Sequence, residues 1–144
     1  MILIADTSGV LAAFATSEAD HLRARDALNA ASLVVFTPLV LLELEVLGGR
    51  RIGRQAAQAT VDWILATAAS GRFRIDSVSG ADLHEARKVQ RHYAGLDLDL
   101  TDAVNVVVAS RWDTVDLLTL DRRDVRAIVP LSRHAAFRLL PDDS

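Results

Sequence analysis

Cysteine is absent from the 144 residues, which excludes a disulfide framework, a thiolate metal centre and a cysteine nucleophile. Positive charge is not in excess either. Lysine occurs once, as Lys88, and the formal net charge is −3, so the chain is not built to grip nucleic acid through bulk charge. A protein that meets nucleic acid through a bound cation and a local basic rim stays open. No apolar run approaches the roughly 20 residues of a membrane span. The start, Met1-Ile2-Leu3-Ile4-Ala5-Asp6, has no basic leader and reaches a charge too early for a signal peptide. Linkers, repeats and low-complexity stretches are missing too. What remains is a soluble, cytoplasmic chain with no membrane partner. Residues 1–140 read as one domain and 141–144 as a short, frayed C-terminal tail. Apolar residues make up 51 %, enough at this length to bury a sizeable core.

Short apolar runs alternate with helical sequence. Ile2–Ala5, Leu33–Phe36, Phe73–Ile75 and Asp116–Leu120 read as strands, and Ala127–Leu131 as a fifth. Between them, helices are expected from Val10 to Phe14 and from a Ser17-Glu18-Ala19-Asp20 cap to Ala30. A third opens at Thr37-Pro38 and stops at Gly48-Gly49. Further helices run from Arg51 to Ala69 and from Ser79 to Tyr93, and one capped by Thr101 reaches Trp112. This alternation implies an α/β sandwich around a mainly parallel sheet of four to five strands.

Acids fall at the edges of these elements. Asp6 and Asp121 each follow a strand directly, and ligands of a parallel α/β sheet gather beyond the carboxyl ends of its strands. Asp102 falls in the first turn of its helix, where the dipole favours negative charge. Taken alone it reads as a helix-start carboxylate. Glu43 shares an i, i+3, i+4, i+7 face with Leu39, Val40, Val46 and Leu47, while Glu45 shares another with Leu41, Leu42 and Gly48. Periodicity does not choose between them. Carboxylates that converge in an apolar protein repel one another and resist ionisation, and a divalent cation removes that difficulty. An all-oxygen set without His or Cys suits Mg²⁺ or Mn²⁺ and not zinc. The chemistry suggested is metal-dependent hydrolysis of a phosphodiester.

Other residues carry less. The histidines at 21, 84, 92 and 134 show no ligand spacing and read as surface or packing residues. Ser8 lacks a histidine partner for a hydrolase triad, and Gly48-Gly49 lacks the P-loop lysine. Arg50, Arg51, Arg54, Arg122 and Arg123 are candidates for phosphate contacts, or ordinary solvated arginines near helix ends. Trp63 and Trp112 read as packing or interface residues.

With these residues in place, the chain resembles the PIN-domain ribonucleases, specifically VapC-type toxins of bacterial or archaeal toxin–antitoxin pairs. Four motifs carry the resemblance in the family's order: Ile4-Ala5-Asp6-Thr7-Ser8, Thr37-Pro38-Leu39-Val40-Leu41-Leu42-Glu43, Leu100-Thr101-Asp102-Ala103, and Leu118-Thr119-Leu120-Asp121-Arg122-Arg123-Asp124. Val125 stands where related sequences often carry phenylalanine, a difference of packing and not of chemistry. The resemblance implies a PIN-like three-layer α/β/α sandwich and favours Glu43 over Glu45. It implies Mg²⁺- or Mn²⁺-dependent endonucleolytic cleavage of an RNA substrate, commonly tRNA or rRNA. Asp6 and Asp102 would be the metal ligands, with Glu43 and Asp121 completing the catalytic pocket. Asp99 and Asp124 stand in a second tier. Thr7 and Thr119 would hydrogen-bond the carboxylates or the scissile phosphate. The resemblance further implies a homodimer and a cognate VapB-type antitoxin covering the acidic pocket, often with an arginine among the acids. Two other readings remain: a nuclease of this fold acting on DNA or in RNA processing, and a binding module without catalysis. A phosphate-receiver domain wants a lysine after a late strand, and Lys88 falls in a helix.

Overall fold

A computed structural model describes residues 1–144. Five strands form one sheet: β1 (Ile2–Ala5), β2 (Leu33–Phe36), β3 (Phe73–Ile75), β4 (Asp116–Leu118) and β5 (Arg138–Leu140). Their order is β3-β2-β1-β4-β5, and all four pairings are parallel. The helices are α1 (Thr7–Phe14), α2 (His21–Ala30), α3 (Pro38–Arg51), α4 (Arg54–Ala69), α5 (Gly80–His92), α6 (Leu100–Arg111) and the single turn α7 (Arg122–Val125).

The two-residue period of the strands divides the core. Leu3, Ala5, Val34, Phe36, Leu118 and Leu140 face a layer that includes Val10, Leu28, Leu44 and Ile64. Ile4, Val35, Leu117 and Leu139 face the other, which includes Val89, Val104 and Val108. A sheet buried on both faces needs the continuous apolar strands seen here, and the result is the expected α/β/α sandwich.

The chain steps outward from β1 through β2 to β3, then returns to pair β4 with the other edge of β1. Strand order thus reverses between β1 and β4, and a crevice opens there beyond the strand ends. Gly9 keeps that junction tight. A Cβ at this position would lie 2.4 Å from the Leu118 carbonyl oxygen, so only glycine lets α1 lie this close to β4.

Four local expectations are corrected. The fifth strand is Arg138–Leu140 and not Ala127–Leu131. In the latter stretch Ile128 is buried in the core layer that holds Val104 and Leu139 while Val129 and Leu131 are about half exposed, so it packs as a plug and does not pair. The helix cap is Asp99, not Thr101: Asp99 and Asp102 form a reciprocal capping box, and Thr101 is buried inside the first turn. Gly48 and Gly49 do not stop α3, which continues to Arg51; a Cβ on Gly48 would meet Ala57 and Leu11 at 3.2 Å, so this glycine serves close helix packing. The tail is tied down. Asp142 pairs with Arg122 and Arg23, and Asp143 pairs with Arg126 and accepts the Leu139 N–H.

Candidate active site

Asp6, Glu43, Asp99, Asp102 and Asp121 line one open pocket of about 360 Å³ at the β1–β4 junction, with Arg50 and Arg51 on its rim. Each acid comes from a different local device. Asp6 leaves β1 with extended backbone and stands at the N-cap position of α1 without a side-chain capping bond, which leaves its carboxylate to the pocket. Its N–H donates to Leu118 O at 3.0 Å, one step beyond the β1–β4 ladder. Glu43 projects from α3, whose start is fixed by Thr37 capping Val40 N–H and by Pro38 in the first turn. Asp102 occupies the third position of α6 through the capping box with Asp99. Asp121 follows β4 and precedes α7.

Hydroxyl groups orient two of these carboxylates. Ser8 Oγ and Thr119 Oγ1 both donate to Asp6 Oδ2 at 2.9 Å. Their directions are set from behind, because Ser8 Oγ accepts the Leu120 N–H at 2.9 Å and Thr119 Oγ1 accepts the Asp121 N–H at 3.0 Å. A hydroxyl has one proton, so with a backbone donor already at the oxygen, that proton goes to Asp6. Thr7 Oγ1 donates to Glu43 Oε1 at 2.6 Å.

The electrostatics are those of crowded acids. Burial raises the Asp6 carboxyl above its ordinary range and Glu43 adds to the rise, while the Thr119 and Ser8 hydroxyls oppose it. Asp102 is pushed up to about 9, first by burial and then by Asp6, Asp99 and Asp121. Asp121 is raised as well, by burial and then by Asp124, Asp99 and Asp97, against an opposing backbone hydrogen bond at Asp124. Three carboxyls in one pocket are thus each shifted toward the protonated form when no positive charge is present, Asp102 most plainly.

The pocket gathers Asp6, Glu43, Asp102 and Asp121 and brings in Asp99. It does not include Asp124, which sits in α7. Glu45 is exposed and borders a groove with Gln58, Val61 and Asp62 of α4. Arg51 pairs with Glu18 at 2.8 Å, whereas Arg50 has no carboxylate partner. Arg122 is turned away from phosphate contact by Asp142 and by Asp20 at 3.1 Å. None of the histidines lines the pocket. Trp63 packs edge-on between Phe14 and Phe73, and Trp112 donates its indole N–H to Asp76. Sequence reasoning missed Asn105, which is buried with its Nδ2 3.5 Å from Asp6 Oδ1. Its one legible signal was a lone polar residue in an apolar helix, one turn after Asp102.

Comparison with known proteins places this architecture. Residues 3–128 match the model of the PIN domain. Ribonuclease VapC26 of Mycobacterium tuberculosis is 33 % identical over 130 residues, covering 90 % of this chain and 93 % of that protein. The crystal structure of VapC20 of Mycobacterium tuberculosis, a toxin that cleaves the sarcin–ricin loop, superposes with a TM-score of 0.76 at 22 % identity, over 87 % of this chain and 94 % of that one. VapBC2 from Rickettsia felis, bound to a DNA fragment from its promoter, gives 0.67 at 16 % identity, over 96 % and 98 %. The chain belongs to the PIN-domain family, in its VapC branch.

Proposed function

We propose that the protein is the toxin of a toxin–antitoxin pair, a Mg²⁺- or Mn²⁺-dependent endoribonuclease that cleaves tRNA or rRNA. The observation that carries this reading is the placing of Asp6, Glu43, Asp102 and Asp121 around a single pocket open to solvent. The donor set fits a hard divalent cation. All its ligand atoms are oxygens, and Asp102, pushed up to about 9 first by burial and then by the neighbouring acids, would be returned to its ionised form by a cation beside it. No three acidic or histidine side chains stand ready as a closed cage. Such a cage is not required, because Mg²⁺ is commonly held by one or two carboxylates, retained waters and substrate phosphates.

Asp6 and Asp102 would hold the ion, Asp6 from the end of β1 and Asp102 from the N-terminus of α6. When bound, the ion supplies positive charge that stabilises the scissile phosphate and eases deprotonation of water. Ser8 and Thr119 hold Asp6 in one orientation, so the carboxylate need not reorganise during the reaction. Glu43, steadied by Thr7, and Asp121 face the remaining space, where they can orient an attacking water and accept its proton. Arg50, with no carboxylate partner, stands on the rim as a contact for an RNA phosphate.

The partner is a VapB-type antitoxin whose segment lies over the pocket. A guanidinium placed among the acids would supply the missing positive charge and shut the site. Exposed Leu42, Val46 and Leu65 on α3 and α4 provide apolar surface for a second protein chain, consistent with a homodimer. No helix is long and apolar enough to cross a membrane, in keeping with action on RNA in the cytoplasm.

The test is cleavage of purified tRNA and ribosomal RNA with Mg²⁺, Mn²⁺ or EDTA, followed by mapping of the fragment ends. Discrete fragments formed with metal and absent with EDTA are expected. Intact RNA from metal-loaded protein free of any partner would count against the reading.

A further inference from the structure

Asn105 sits on α6 one turn beyond Asp102, only 4 % exposed, and its Oδ1 has no hydrogen-bond partner. Its neighbours on the helix include the buried Val104, Val106 and Val108. A leucine would fill similar volume there and leave no polar atom unpaired. Buried amide oxygens in folded proteins nearly always find a donor in protein or ordered water, and here no protein group supplies one. Beside it lies a cavity of about 10 Å³ bordered by Asp6, Asp102, Asn105, Thr119, Leu117 and Val125, among others. That is close to the smallest space able to hold one water, roughly 10–15 Å³.

We propose that Asn105 is a positioning residue for Asp6, and that the cavity holds one structural water that donates to Asn105 Oδ1. The two oxygens of Asp6 are treated differently. Oδ2 takes both hydroxyl protons, whereas Asn105 is the only side chain that donates to Oδ1. A carboxylate that holds a cation is ionised and only accepts, so the amide points its Nδ2 at Asp6 and its Oδ1 away. The water fixes that far end by donating to Oδ1, with the polar side chains of Asp102 and Thr119 bordering the rest of the cavity. Water, amide and carboxylate then form one line that sets the plane of Asp6 as it faces the pocket. Outer groups of this kind orient a ligand for its ion without touching the ion.

This inference rests on the reading of Asp6 as a cation-binding carboxylate, and its test separates the two. Mn²⁺ binding to the whole protein is measured by titration calorimetry without RNA, for the parent and for Asn105→Leu. The expected result is Mn²⁺ affinity weaker by about 10-fold or more in the variant, with kcat lowered, KM for RNA unchanged and no drop in the cation-free melting temperature. Equal Mn²⁺ affinity in a folded Asn105→Leu protein overturns the positioning role. A parent that binds no Mn²⁺ removes the cation reading, and the positioning role falls with it. The water is judged separately, in a high-resolution crystal structure of the parent: density within hydrogen-bond distance of Asn105 Oδ1 supports it, and a dry cavity overturns it.

Discussion

Thr119 gives its hydroxyl proton to Asp6 and accepts the backbone N–H of Asp121, so one side chain ties two acids of the pocket together. Thr119→Val keeps the shape and removes both bonds. The Asp121 N–H then has no acceptor, and Asp6 loses one of the hydroxyls that favour its ionised form. Stability should fall by about 1–3 kcal/mol in urea unfolding, with a clear loss of RNA cleavage. Thr119→Ser, which retains the hydroxyl, should recover most of the activity. A Thr119→Val protein as stable and active as its parent would contradict the arrangement.

Gly9 is a second structural condition of the site. A Cβ there would strike the Leu118 carbonyl, which is backbone and cannot swing aside. Gly9→Ala should therefore lower stability by about 1–3 kcal/mol, the usual range for overpacking, and should loosen Asp6 relative to Thr119. An unchanged unfolding midpoint would show that α1 can slide without penalty.

The pH dependence of the cation-free protein follows from Asp102. Its carboxyl is pushed up to about 9 in the fold, against about 3.9 in an unfolded chain. The folded state therefore binds more protons between those values, and stability falls as pH rises through that window. Asp6 and Asp121 are raised and act in the same sense. Asp82, Asp142 and Asp143 are lowered by hydrogen bonds and charge from their partners and act oppositely, but only as pH falls below the ordinary carboxylate range. Melting temperature without metal should thus decrease from pH 5 to pH 8. Asp102→Asn should flatten the decrease, and Mn²⁺ should stabilise the parent more at pH 8 than at pH 5. A melting temperature that climbs with pH would contradict the account.

Glu43 and Glu45 test which face of α3 is used. Glu43 borders the pocket and accepts the Thr7 hydroxyl, while Glu45 is exposed beside α4. Glu43→Gln should reduce cleavage by about 100-fold, within the range for loss of a general base, and Glu45→Gln should change it little. The rim arginines separate in the same way. Arg50→Ala should raise KM for RNA, whereas Arg122→Ala should not, because Asp20 and Asp142 already hold Arg122. The reverse order in either pair would place the substrate elsewhere.

Much of this was legible in the chain itself. The runs Ile2–Ala5 and Leu33–Phe36 become central strands because every residue has an apolar layer to face. Asp6, Asp102 and Asp121 could be placed because strand ends and helix starts converge in parallel α/β folds. Other features depend on contacts that no local pattern encodes. The β5 strand carries an exposed Arg138 and gains its pairing only from β4, whereas the more apolar Ala127–Leu131 is held as a plug by Ile128 and by the Tyr93 hydroxyl, which accepts the Val129 N–H. Thr101 and Asp99 are both good caps, and the choice fell to the acid two residues earlier. That choice sets Asp99 beside Asp102 and raises the charge of the pocket. Glu43 and Glu45 were indistinguishable by periodicity. The family motif favoured Glu43, and the seat of α3 against α1 and α4 is what brings Glu43 to the pocket and leaves Glu45 exposed.

The central claim is that the acids around this pocket act together on RNA with a divalent cation. Its most direct test is cleavage of total cellular RNA in Mn²⁺ by the parent and by Asp102→Asn, with folding of both verified by circular dichroism. The account predicts discrete fragments from the parent and none above background from a folded, equally stable or more stable Asp102→Asn protein. Undiminished, metal-dependent cleavage by Asp102→Asn would contradict it.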